Sequence, residues 1–161
     1  MEHYTSFAPT SRVTRRDLSR KHHPVKEFLE PTTSPWTARL PPGSLPKLVL
    51  GFKAVIMDHK WHVYTEGPED GGIFVVHFLR SWTVNPVVSA RVQAEPDSNG
   101  SPMLENAADI VEITWEADTS RSFLPDQVET AETAKKWVVD VCEWVFGIEV
   151  LTEVGGGEPG I

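Results

Sequence analysis

Four segments between residues 60 and 117 share one pattern. Each is a short run rich in β-branched and aromatic residues, bounded by Gly, Pro, Asn or Asp. Successive side chains of a strand point to opposite faces, so this pattern constrains the fold more than any other feature of the chain. Residues 60–66 alternate. Gly67-Pro68-Glu69-Asp70-Gly71-Gly72 is a turn by composition. Residues 73–80 are apolar on both faces, which predicts a central strand. Asn85-Pro86 breaks that run. In residues 87–95, Val88, Ala90, Val92 and Ala94 share one face and Ser89, Arg91, Gln93 and Glu95 the other. A polar loop follows. Residues 109–117 then set Val111, Ile113 and Trp115 opposite Glu112, Thr114 and Glu116. The connections are too short for crossover helices, so the strands are expected to pair antiparallel as a meander.

The pattern changes once more. Ala134, Trp137, Val138, Val141, Trp144, Val145 and Ile148 recur at three- and four-residue steps, which predicts an amphipathic helix over residues 130–146. Thr130 is its expected N-cap, and Gly147 stands at its end. The helix stripe must cover one sheet face, since neither layer buries its apolar side alone. The covered face is expected to carry Val63, Val88, Val92, Val111, Ile113 and Trp115. Upstream, Leu48-Val49-Leu50-Gly51-Phe52-Lys53-Ala54-Val55-Ile56-Met57 reads as a buried strand or short helix, with Val55-Ile56 tilting its second half toward strand. The fold class expected is α+β: an antiparallel meander of three to five strands with a C-terminal helix on one face. Residues 1–46 hold seven prolines and read as an irregular basic arm, with Trp36 and Leu40 as anchors on the domain. Residues 47–151 form the compact domain, and residues 152–161 a flexible Gly-rich tail.

Charge is divided unevenly. Residues 1–53 hold nine Lys and Arg against four Asp and Glu, a net of +5, and the remainder holds six against nineteen, a net of −13. An acidic domain repels phosphate backbones, so the domain itself is not expected to bind nucleic acid. No stretch approaches the ~18 consecutive apolar residues of a membrane span, and no secretory signal pattern opens the chain. No membrane partner is expected. The single cysteine, Cys142, excludes a disulfide framework and fits a reducing compartment. The expected location is the cytoplasm, with the nucleus as the alternative.

The sequence has no P-loop, no GxGxxG after a strand, no GxSxG and no HExxH. Cys142 falls on the apolar stripe of the helix, where a thiol is inert. His22-His23 lie in the arm, and His59 and His62 flank Lys60-Trp61. His77 sits mid-strand and reads either as a satisfied core histidine or as an acid/base group on the open sheet face. Three or four converging ligands are needed for zinc, and the pattern supplies no such set, so no metal and no cofactor is expected. Arg80-Ser81-Trp82-Thr83 puts a guanidinium, two hydroxyls and an indole at a strand end, where binding groups usually stand. Arg80 can grip an anion in bidentate fashion while Trp82 stacks on a ring. Equally, Arg80 can pair with Glu66, Glu112 or Glu116. Four of the six tryptophans, Trp61, Trp115, Trp137 and Trp144, fall on expected core faces.

Lys60-Trp61, Gly67-Pro68-Glu69, His77, Arg80-Ser81-Trp82-Thr83, Thr114-Trp115-Glu116 and Cys142-Glu143-Trp144-Val145 together resemble an uncharacterised family of small fungal and bacterial proteins. That family carries a DKW-type strand, an HxHRSWTG strand end and a helix ending in CxWV. The resemblance covers residues 53–151. Some bacterial members lie beside ADP-ribose-binding macro domains, which implies a link to ADP-ribose or nucleotide signalling. The chain departs from the family pattern at Leu79, where the second histidine stands, and at Val84, where the family has glycine.

Two functions follow as expectations. In the first, the chain is a small binding module that takes a small anionic ligand or a protein partner through its open sheet face and strand end, with Lys60, Tyr64, Arg80, Ser81, Trp82 and Thr83 in contact. In the second, it is an enzyme acting on a nucleotide or phosphorylated small molecule, with His77 as acid/base and Arg80 holding the anion. The sequence does not choose between module and enzyme, and it leaves the oligomeric state open.

Overall fold

The computed structural model describes residues 8–19, 24–118, 120 and 127–152. His22-His23 and most of the Gly-rich tail lie outside the described residues. The architecture is α+β. A six-stranded antiparallel sheet has the order β2-β3-β4-β5-β1-β6, with β1 at Pro31–Leu40, β2 at Trp61–Glu69, β3 at Ile73–Arg80, β4 at Pro86–Ala94, β5 at Ala108–Glu116 and β6 at Leu151–Thr152. Among the described residues, three α-helices accompany it: α1 at Arg15–Leu18, α2 at Ser44–Leu50 and α3 at Ala131–Phe146.

The expected meander is β2 to β5, each strand paired with the next. The count of three to five strands is corrected to six, because segments at both ends of the chain join the sheet. β1 pairs with β5 from Pro31↔Glu116 to Leu40↔Ala108, inside the stretch read as an irregular arm. Its prolines are compatible with a strand here. Pro31 is the first residue, Pro35 borders a register shift, and the far edge of β1 pairs with β6 only at Ala38 and Arg39.

α3 packs against the sheet as its stripe requires, burying Ala134, Val138, Val141, Cys142, Val145 and Phe146. The Thr130 side chain caps its start by accepting from Thr133 N–H. Gly147, at φ 68°, ends it in the left-handed region, with Ile148 N–H donating to Cys142 O and Gly147 N–H to Glu143 O.

Two expectations about faces are corrected. Val111 is 40 % exposed rather than in the core. The β4–β5 register runs Arg91↔Glu112 and then Val92↔Ile110, so Val111 is an extra residue in β5. The bulge shifts the alternation by one, and Ala108 and Ile110 point inward before it as Ile113 and Trp115 do after it. The apolar run at 47–57 is not one element. α2 stops at Gly51, where φ is 82° and an added Cβ would lie 2.6 Å from Val63 O. Phe52 makes a single bridge to Val63, and the chain then leaves the sheet, so Val55 to Met57 are a loop.

The opposite sheet face is partly covered as well. Val13, Leu18 and Val25 from the N-terminal segment pack on Tyr64, Leu79 and Val84 in a second small core. Arg12 donates to Thr65 O at 2.6 Å and Gly67 O at 3.0 Å, and Val13 N–H donates to Leu50 O at 2.7 Å. Glu116 fixes the entry to β1. Its buried carboxylate accepts from Leu29 N–H at 2.7 Å, Glu30 N–H at 2.8 Å and Asp118 N–H at 3.1 Å.

Candidate functional site

The residues singled out in the sequence fall into two places. Strand parity separates them: Tyr64 pairs with His77 and Trp61 pairs with Arg80 in the β2–β3 register, on opposite faces of the sheet.

Tyr64, His77, Ser89 and Thr114 form a cross-strand row on the face away from α3. The His77 ring stacks on Tyr64, with centroids 4.6 Å apart. His77 Nε2 lies 2.8 Å from Glu66 Oε1, and Nδ1 lies 2.7 Å from Ser89 Oγ. An ionised carboxylate only accepts, so Nε2 carries the proton. Burial holds the His77 pKa below its ordinary value, against the opposing pull of Glu66, and the neutral ring therefore accepts at Nδ1 from the Ser89 hydroxyl. Burial, reinforced by Glu66, pushes the Tyr64 phenol up to about 12, so it stays protonated. A cavity of about 60 Å³ borders this row, lined by Arg15, Lys26, Glu27, Tyr64, Glu66 and His77 among others. That volume holds water or a very small ion, and Arg15 is engaged there by Glu27 at 2.6 Å.

Arg80 is on the α3 side. Its guanidinium lies 4.3 Å from the Trp61 ring centroid and 5.4 Å from that of Trp137, while Trp144 meets Trp137 edge-on. It therefore cannot hold an anion beside His77. Beyond Arg80 the chain makes a tight turn. Val84 N–H donates to Arg80 O at 2.9 Å, and Val84 is buried at φ 53°, a region that disfavours β-branched residues.

That turn is tied to the loop before β2. Ser81 N–H donates to Lys60 O at 3.0 Å, and Ser81 Oγ donates to His59 O at 2.9 Å. Thr83 accepts through its carbonyl from Lys26 Nζ at 2.8 Å and through its hydroxyl from Asn85 N–H at 3.2 Å. Two buried histidines hold the loop from beneath: His62 Nδ1 accepts from Ala54 N–H and His59 Nδ1 from Val55 N–H, each at 3.0 Å. The result is one braced end of the sheet that exposes Val55 (61 %), Ile56 (46 %), Met57 (71 %) and Trp82 (65 %). Lys60 bridges them, with Nζ 3.0 Å from Met57 O and 5.8 Å from the Trp82 ring centroid.

So Lys60, Ser81, Trp82 and Thr83 are brought together, Arg80 stands just behind them, and Tyr64 and His77 stand elsewhere. Val55, Ile56 and Met57 were missed as surface residues. The available signal was Gly51, which interrupts the apolar run at the position where the chain turns away. A larger open groove, of about 590 Å³, runs between β1 and α3 past Trp36, Lys135, Lys136 and Val139. Among the described residues, no group of three or more His, Cys, Asp and Glu side chains could hold a metal. Compared with family models, curated proteins and solved structures, the chain matches none. The likeness to the small fungal and bacterial family thus gains no support from the family comparison, and site roles rest on geometry.

Proposed function

We propose that the chain is a small binding module whose recognition surface is the braced end formed by residues 53–60 and 80–84. One observation carries this reading: four large apolar side chains are held out to solvent on loops that hydrogen bonds make rigid. A protein leaves such a cluster exposed at a cost in solubility, and such clusters mark interaction sites. Rigidity supports binding because little entropy is lost when a partner arrives. Lys60 and Lys26 give the surface a positive edge, so the ligand class is an anion with an apolar or aromatic part. Trp82 stacks on that part, Lys60 meets the charge, and Ser81 and Thr83 fix the turn between them. Titration with ADP-ribose, ADP and dodecyl phosphate, followed by tryptophan emission, tests this. Saturable binding to at least one of them, lost in Trp82→Ala with an unchanged melting curve, is the expected result. Binding that survives Trp82→Ala contradicts it, as does the lack of binding to all three.

A second reading is favoured by the Ser89–His77–Glu66 chain. A neutral histidine that accepts from a hydroxyl and is oriented by a carboxylate is the arrangement of an acid/base pair acting on a nucleophile. In that reading the chain is an enzyme on a phosphorylated small molecule or nucleotide, with Arg15 rather than Arg80 as the nearby cation. Covalent labelling of Ser89 by a fluorophosphonate, abolished in His77→Ala, is the result it requires. An unlabelled Ser89 excludes it.

A further inference from the structure

We infer that the braced end docks on an anionic phospholipid surface; the inference rests on the binding-module reading and names its partner. Three consecutive residues, Val55, Ile56 and Met57, all project into solvent. They lie on one loop whose turn is closed by His59 N–H donating to Ile56 O at 3.0 Å, so they are presented together as an exposed tip. An exposed apolar tip needs a partner that closes around it, and the acyl boundary of a bilayer does so without a preformed pocket.

The polar groups around the tip match the layers of that boundary. The Trp82 indole stands beside it, and tryptophan prefers the depth of lipid headgroups. Lys60 lies over that indole and donates from Nζ to Met57 O at 3.0 Å, so its positive charge is held at the edge of the tip. Lys53 is exposed at the base of the loop, and Lys26 reaches the Thr83 carbonyl from the other side. Asp58 is the one acid within the loop.

The distribution of charge sets orientation. Residues 54–161 carry a net of −13, six basic against nineteen acidic, so an anionic surface repels most of that part, while Lys26, Lys53 and Lys60 favour approach by this end. No helix among the described residues is long and apolar enough to cross a membrane, so the contact is peripheral. The absence of a spanning stretch, which argues against a membrane partner, bears on crossing the bilayer and not on contact through a loop tip.

The test uses the full chain with vesicles of phosphatidylcholine, with and without phosphatidylserine, at low and at physiological ionic strength. Co-sedimentation with the phosphatidylserine vesicles is expected, together with a blue shift of tryptophan emission that is lost in Trp82→Phe. Lys60→Ala should weaken binding about fivefold, and Met57→Asp about tenfold or more. All three side chains are exposed, and unchanged melting curves check that the variants fold. Vesicle binding that ignores all three substitutions overturns the inference, because the contact is then elsewhere. No vesicle binding, with ADP-ribose or dodecyl phosphate still bound through Trp82, overturns the lipid partner and leaves the binding module standing. No binding to vesicles or to any soluble anion removes both. Self-association that disappears in Met57→Asp, without vesicle binding, assigns the tip to a second copy of the chain and also overturns the inference.

Discussion

Arg80 shows how one side chain changes meaning between sequence and structure. At a strand end beside Trp82 it reads as an anion clamp. In the fold its guanidinium lies against Trp61 and Trp137. A half-buried cation between two indoles contributes through attraction to the rings and through the packing of its stem. Arg80→Ala should therefore lower stability by about 1–2 kcal/mol in urea denaturation, while binding at the braced end changes less than in Trp82→Ala. Strand parity already held part of this answer, since residues 77 and 80 of one strand face opposite ways. The tryptophans that meet Arg80 were not legible, because Trp137 arrives from an element about 57 residues later and only tertiary packing brings it there. Val84 is a second case. The family likeness puts glycine at that position, and the backbone there has the positive φ that glycine favours. Histidine supplies the pH dependence at this scale. His59 Nδ1 can accept from Val55 N–H only while unprotonated, and burial holds the His59 pKa below its ordinary value. A base with a depressed folded pKa contributes stability that is present above about 6.5 and is lost as pH falls toward the folded value. Amide protection at residues 54–57, taken relative to the intrinsic exchange rate at each pH, should thus fall on acidification below about 6.5, and His59→Gln should flatten that dependence. Equal protection at neutral and acid pH would show that the histidine does not hold the loop.

Elements with a strong local pattern were the legible ones. β2 to β5 and α3 follow from alternation, from helical spacing and from the caps at Thr130 and Gly147. Elements defined by what they touch were not. β1 carries two prolines that hide it, and it is a strand because β5 needs a partner on its free edge. α2 and the following loop looked like one buried run because apolar composition does not reveal where Gly51 turns the chain. The bulge at Val111 leaves no trace in composition either. Glu116 is the joint between these classes. On the sequence it is one of an outward-facing acidic row, yet in the fold its buried carboxylate accepts three backbone N–H groups at the entry to β1. Glu116→Ala leaves those donors unpaired and should cost about 2–3 kcal/mol, read from chemical denaturation. Glu116→Gln keeps one acceptor oxygen and should cost clearly less. Equal losses in the two variants would mean that the carboxylate acts through its volume and not through its hydrogen bonds.

At the scale of the whole molecule, both sheet faces are occupied over much of their area. α3 covers one, and the segment with Val13, Leu18 and Val25 covers part of the other around Tyr64 and Leu79. That distribution moves the search for a binding surface from the face to the end of the sheet. There two loops and two histidines present Val55, Ile56, Met57 and Trp82 on an otherwise acidic domain. We propose this end, and not the row around His77 or the groove between β1 and α3, as the place where the molecule binds. Amide hydrogen exchange of the full chain with and without dodecyl phosphate tests it most directly. Slower exchange confined to residues 53–60 and 80–85 is the predicted result. Protection at residues 75–79 and 88–91, or along β1 and α3, with residues 53–60 unchanged, would contradict it.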